Sequence, residues 1–132
     1  MESKKILLVE DDDLIRELYA RQLTKAGLWV KAVATGEEGL EELGKETFEL
    51  LLLDIMLPGM NGLQMLKQYK TKNPKSDMKI VLLTNLGQES IIKEGFDMGA
   101  QAYLIKASYS PEQVVEEVKN VLVGTAAPQT PP

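Results

Sequence analysis

FELLLLD, residues 48–54, is the stretch on which the fold turns. Four consecutive leucines, Leu50 to Leu53, leave no polar face, so both sides of this segment must be covered by other elements. A run this short, followed by a turn, predicts a strand over Phe48–Leu53 rather than a helix. It stops at Asp54, and Pro58-Gly59-Met60-Asn61-Gly62 makes the turn. The same pattern recurs along the chain. KILLV (Lys5–Val9) runs into Glu10-Asp11, KIVLL (Lys79–Leu83) into Thr84, and Gln101–Ile105 into Lys106. Leu28–Val33 supplies the fifth strand.

Between the strands lie stretches with helical spacing. From Asp13 to Ala26, Leu14, Ile15, Leu18, Tyr19 and Leu23 recur every three or four residues and predict one apolar face, with Gly27 as the stop. Thr35 and Glu38 form a capping-box pattern for a helix over Gly36–Lys45. A third helix runs to about Lys72, and a fourth from about Gln88 to Met98, with Gly95 inside it at a propensity cost of about 1 kcal/mol relative to Ala. Ser110-Pro111-Glu112-Gln113 opens the last helix with a capping serine, a proline at the first position and a glutamine at the third. Val114, Val115, Val118, Val121 and Leu122 give that helix its apolar face. One domain is expected over 1–123, with residues 124–132 (GTAAPQTPP) as a flexible tail or the start of a linker.

Composition removes several kinds of chemistry. The 132 residues include no cysteine and no histidine, which excludes disulfides, thiolate or imidazole metal sites, catalytic triads and a phosphohistidine carrier. A net charge of −5 argues against direct nucleic-acid binding, and no apolar run is long enough for a membrane span. A soluble cytoplasmic protein is the simplest expectation. At 44% hydrophobic residues, the chain can build a sizeable core.

Five β-then-α units predict an α/β fold with a parallel sheet covered on both faces. Ligands of such sheets bind beyond the carboxyl ends of the strands. Glu10, Asp11, Asp54, Thr84 and Lys106 all stand at those ends. Carboxylates side by side repel unless a cation intervenes. Hard oxygen donors of this kind suit magnesium, with manganese as a substitute. A lysine and a threonine beside them add a charge and a hydroxyl donor for an anion, which together outline a phosphoryl pocket. Asp12 and Asp13 are read as acids favouring a helix N-terminus.

Four motifs, ILLVEDD (Ile6–Asp12), LLLLDIMLPGMNG (Leu50–Gly62), IVLLTN (Ile80–Asn85) and GAQAYLIK (Gly99–Lys106), carry a resemblance to the receiver domains of bacterial two-component response regulators, of the chemotaxis-regulator type. It covers residues 4 to about 123. The resemblance implies a flavodoxin-like, doubly wound (βα)5 fold with strand order 2-1-3-4-5. It implies that Asp54 accepts a phosphoryl group from a sensor histidine kinase or a histidine phosphotransfer protein. Glu10 and Asp11 become the acidic pair of the metal site, Asp11 as a direct ligand and Glu10 through water, with Asp54 and the backbone carbonyl of Met56 completing the set; Thr84 and Lys106 hold phosphoryl oxygens. Thr84 and Tyr103 become the switch pair, and the fourth helix, fifth strand and fifth helix the output face toward a partner or output domain. A homodimer on phosphorylation is compatible with this, and turnover catalysis is not expected.

Three positions depart from the family pattern. Asn85 stands where a small residue is common, Asn61 replaces a frequent Asp, and Ala107 replaces a proline. Without proline a trans Lys106–Ala107 bond is expected, because the cis form costs about 2.5–4 kcal/mol. Met56 and Leu86, with Asn85, flank the approach of water to Asp54 in the family pattern and are expected to modulate loss of the phosphoryl group. Two other classes compete. A pseudo-receiver would use the fold only for contact. A haloacid-dehalogenase-like phosphatase would need an acid where Met56 stands.

Overall fold

A computed structural model describes residues 3–85 and 89–124. The strands are β1 (Lys5–Val9), β2 (Trp29–Val33), β3 (Leu50–Asp54), β4 (Lys79–Thr84) and β5 (Ala102–Ile105). The helices are α1 (Asp13–Lys25), α2 (Gly36–Lys45), α3 (Gly62–Lys72), α4 (Glu89–Asp97) and α5 (Pro111–Val123). A 3-10 turn, Lys106–Ser108, follows β5. All neighbouring strands are parallel, in the order β2-β1-β3-β4-β5, as expected.

The period of two along each strand divides the core. Leu7, Val9, Leu51, Leu53, Ile80 and Leu82 meet Leu63, Met65 and Leu66 of α3 on one face. Ile6, Leu8, Leu50, Leu52, Val81 and Leu83 meet Tyr19 and Leu23 of α1 and Val114, Val118 and Val121 of α5 on the other. Each fully buried side chain of this kind contributes about 1.5–3 kcal/mol. Two solvent-free faces explain why β3 has no polar residue before its end.

The apolar face expected of α1 is only partly used. Tyr19 and Leu23 are buried and Ile15 half-buried, but Leu14 is 75% exposed and Leu18 lies at the surface. Residues 15, 19 and 23 repeat every four positions and already fill the seam against the sheet. Leu14 and Leu18 lie one position, about 100°, to its side. Strand limits also shift slightly. β3 begins at Leu50 and includes Asp54, and β2 begins at Trp29. The expected first residue of α4, Gln88, lies outside the described residues, as does everything after Gly124.

Most local signals read from the sequence hold, and the capping box expected at Thr35 and Glu38 is only half formed. Asp12 caps α1 by accepting from the Ile15 N–H, and Gly27 takes the left-handed backbone (φ 93°). Ser110 and Gln113 cap each other's backbone. Thr35 caps Glu38, while the Glu38 carboxylate reaches the Ala34 N–H and the Thr35 hydroxyl instead of the Thr35 N–H. Among the described residues there is no cis peptide bond, so Lys106–Ala107 is trans as expected. Gly95 is a packing requirement: a Cβ there would stand 2.3 Å from Leu82 Cδ1.

Candidate functional site

The strand ends bring the expected groups together. β1 and β3 are neighbours, with Val9 opposite Leu53, so Glu10 and Asp54 leave the sheet side by side. Asp54 pairs with Leu83, which sets Thr84 one residue further along. Thr84 pairs with Ile105, and Lys106 follows. Glu10, Asp54 and Thr84 are buried polar residues, 0%, 2% and 2% exposed, whereas Asp11 is exposed.

Lys106 is the counter-charge. Its Nζ lies 2.8 Å from Asp54 Oδ2 and 2.5 Å from Glu10 Oε1. The other Asp54 oxygen accepts from the Met56 N–H at 2.9 Å, and the other Glu10 oxygen from the Asp12 N–H at 3.0 Å. Glu10 Oε1 is buried and accepts no well-directed hydrogen bond, so its approach to Lys106 is an ion pair alone. Burial raises the Glu10 carboxyl above its usual 4.5, against the lowering effect of Lys106. Burial disfavours the Lys106 ammonium as well, but the nearby carboxylates of Asp54 and Glu10 outweigh it and the net shift is upward.

Carboxylate oxygens of Glu10, Asp11 and Asp54 lie within 4.8 Å of one another. Three hard oxygen donors at this separation, one of them carrying a buried and poorly satisfied oxygen, fit a divalent cation. A groove of about 680 Å³ runs from Asp11 and Met56 past Gln64 and Lys67 to Ile91 and Glu94, leaving the acidic cluster open on one side.

In the metal-free protein the raised Glu10 gives a signed pH dependence. Between 4.5 and its folded value, Glu10 holds more proton in the native than in the unfolded chain, so its contribution falls as pH rises through that window. Glu10→Gln is therefore expected to gain stability relative to the native sequence as pH rises from about 4.5 toward neutrality in EDTA. Urea midpoints across that range check it; parallel curves would refute it.

Several residues at the site carry no obvious sequence signal. The Arg16 guanidinium donates to the carbonyls of Glu10 (3.0 Å) and Asp11 (3.5 Å) and to Asp13 Oδ1 (2.6 Å). Tyr19 is buried in the core on the α1 face of the sheet, its phenol pushed up by burial, with Lys106, Glu10 and Asp54 all close enough to act on it. Asn61 caps α3 reciprocally with Gln64, both contacts at 2.9 Å, and an asparagine three residues before a glutamine was the available hint. Tyr103 is half-buried on β5, its ring edge-to-face with Phe96 of α4 at 5.8 Å and 88°. Asn85 and Met56 are exposed; Leu86 lies outside the described residues.

Residues 6–119 match the family model described as the response regulator receiver domain. The chain belongs to this family. As a receiver domain it is 34% identical over 120 residues to the transcriptional regulatory protein SrrA of Staphylococcus aureus, an alignment covering 91% of this chain and 48% of that protein. It thus spans about half the length of the curated relatives it matches. A CheY-like receiver domain protein from Methanospirillum hungatei superposes with a TM-score of 0.85 at 32% identity, covering 93% and 96% of the two chains. The BeF3-activated receiver domain of DrrB, from Thermotoga maritima, gives 0.77 at 31% identity, covering 92% and 98%. The receiver fold and family displace the phosphatase alternative, consistent with Met56 where that chemistry needs an acid. No helix among the described residues is long and apolar enough to cross a membrane.

Proposed function

We propose that this receiver domain, residues 1–123, accepts a phosphoryl group on Asp54 from a histidine kinase or phosphotransfer protein, in a magnesium-dependent reaction. The observation that carries this reading is one buried carboxylate, Asp54, held between Lys106 and two further acids at the sheet's carboxyl edge. An Asp54 oxygen attacks phosphorus, the P–N bond to the donor imidazole breaks, and its electron pair leaves with the imidazole. The product is an acyl phosphate. Glu10, Asp11, Asp54 and the Met56 carbonyl would hold the metal, which supplies charge neutralisation for the phosphoryl oxygens. Lys106, already paired with Asp54, turns to a phosphoryl oxygen, and the Thr84 hydroxyl donates to another. Movement of Thr84 toward that oxygen frees space for Tyr103, whose contact with Phe96 links β5 to α4. The α4–β5–α5 face then signals to a partner or output domain in the cytoplasm, and phosphorylation-dependent homodimers are compatible with that face.

The test is a mass shift of one phosphoryl group with acetyl phosphate and magnesium, expected in the native sequence and absent in Asp54→Ala. No shift in either protein would favour a pseudo-receiver and overturn the reading.

Binding to the native state alone raises stability. Magnesium is therefore expected to raise the melting temperature, and Asp11→Asn to remove most of that increment in a thermal-shift titration. An equal increment in the variant would place the metal elsewhere.

The lifetime of the acyl phosphate is set by how water reaches it. Met56 is large, apolar and 51% exposed beside Asp54, and cannot orient a water by hydrogen bonding. Leu86 holds the second flanking position in the family pattern, and Asn85 adds bulk. A long-lived phosphorylated form is expected. Met56→Asn with Leu86→Glu should speed its decay by about tenfold or more, roughly 1.4 kcal/mol in the barrier. Decay of the phosphoprotein after donor removal measures it, and identical half-lives would rule the mechanism out.

A further inference from the structure

The β1–α1 turn must hold two acids, one buried and one exposed, at a fixed separation from Asp54. A short loop has no reason to keep Asp11 aimed at its neighbours. The carboxylates repel, and Asp11 is free to rotate outward into water. Glu10 is fixed by burial and by the Asp12 N–H. What restrains Asp11 is its backbone, and there one side chain acts.

We propose that Arg16 is a positioning residue for the metal site, a clamp that orders the Glu10–Asp11 backbone from one turn inside α1. This rests on the metal reading above. Nη1 bridges the successive carbonyls of the two acids, at 3.0 and 3.5 Å, while Nη2 is anchored on Asp13 at 2.6 Å. The Arg16 side chain as a whole is only 23% exposed, so it has few alternative positions. The Arg16 N–H is also bonded to the Asp12 carbonyl at 2.8 Å, so the side chain that grips the loop grows from the turn that follows it. A planar fork can reach two carbonyls and a carboxylate at once; a lysine ammonium is a point charge on a flexible stem and cannot. The contacts go to main-chain oxygens, leaving the carboxylates of Glu10 and Asp11 available to a cation. Other groups near the loop do different work: Lys106 neutralises side-chain oxygens, and Asp12 caps the helix.

The two ways in which Arg16 could act have opposite signs. As a nearby positive charge it would repel a divalent cation, and its removal would tighten binding. As a clamp it lowers the ordering cost of binding, and its removal would weaken it. The difference is measurable without phosphorylation. Loss of the free Mn2+ signal in electron paramagnetic resonance titrations gives the dissociation constant for the full chain, and urea unfolding in EDTA gives the stability of the metal-free form. Arg16→Ala is expected to weaken Mn2+ binding about five- to tenfold. Arg16→Lys, which keeps the charge, should recover less than half of that loss on a logarithmic scale, and Asp13→Ala should show a smaller loss because the anchor alone is removed. Unchanged or tighter binding in Arg16→Ala, or full recovery in Arg16→Lys, would overturn the clamp while leaving the metal site intact. A native chain that binds no Mn2+ would overturn both readings. If Arg16→Ala folds poorly, Arg16→Gln, which keeps one donor, is held to the same criterion of weaker binding.

Discussion

Lys106→Met is expected to destabilise the metal-free protein by about 3 kcal/mol at neutral pH, the lower end of what removing one partner from a buried ion pair costs. The lysine stands 2.5 Å from Glu10 and 2.8 Å from Asp54, and those two carboxylates are 0% and 2% exposed. Methionine fills much of the same volume without the charge, which leaves two buried acids facing each other. They can relieve the repulsion by taking up a proton, and the open side at Asp11 admits water, so the loss stays below the upper end of about 5 kcal/mol. Two signatures separate this from a packing defect. Acidification should shrink the deficit, because burial already raises the Glu10 carboxyl above its ordinary range and protonation removes the repulsion. Magnesium should recover more stability in the variant than in the native sequence, since a cation then replaces the missing one. Urea unfolding in EDTA and in magnesium, at neutral and acid pH, gives all four values. An unchanged midpoint in EDTA would refute this account of the pocket.

Gly62→Ala is expected to cost about 2 kcal/mol and to slow phosphorylation of Asp54. A Cβ at position 62 would lie 2.4 Å from the Asp54 carbonyl oxygen, 2.9 Å from Ile55 Cα and 3.1 Å from the Asp54 carbonyl carbon. These are backbone atoms at the end of a central strand, and no rotamer change can move them aside. Overpacking of this kind reaches about 3 kcal/mol, and the gain in helix propensity returns about 1 kcal/mol. The penalty is delivered to the peptide that carries the acceptor carboxylate. Gly44→Ala is the control: nothing lies within 4 Å of a Cβ there, and the change should stabilise α2 by up to about 1 kcal/mol. Thermal melts of both variants, with acetyl phosphate labelling rates, check the pair; a Gly62→Ala protein as stable as Gly44→Ala would sink the idea.

Much of the architecture was legible because buried parallel strands have a plain signature. Leu50–Leu53 and Ile80–Leu83 can only be two-sided strands, and the polar residue ending each one marks the functional edge. The five groups at those ends were legible for the same reason. Contacts made across the fold by ordinary-looking residues were not. Leu14 and Leu18 share the spacing of Ile15, Tyr19 and Leu23, and only the helix rotation against the sheet separates exposed from buried. Gly95 and Gly62 read as a helix weakness and a turn residue, while their actual requirement is close approach to Leu82 and to the Asp54 backbone. The double engagement of Lys106 with Glu10 and Asp54 depends on three strands meeting, which no local pattern encodes.

The edge strand β2 begins with the only tryptophan, Trp29, whose ring lies beside Phe48 at 6.4 Å and under the Lys5 ammonium at 4.9 Å. Trp29 pairs with Lys5, and Glu10 lies five residues further along that strand direction, roughly 17 Å away. The chain thus carries its one indole fluorophore at the pole opposite its chemistry. Its emission is expected to track global unfolding through loss of the Lys5–Trp29–Phe48 stack, at a distance from events at Asp54. Intrinsic fluorescence therefore serves as an optical baseline for stability, on which occupancy of the acidic pocket leaves no direct mark.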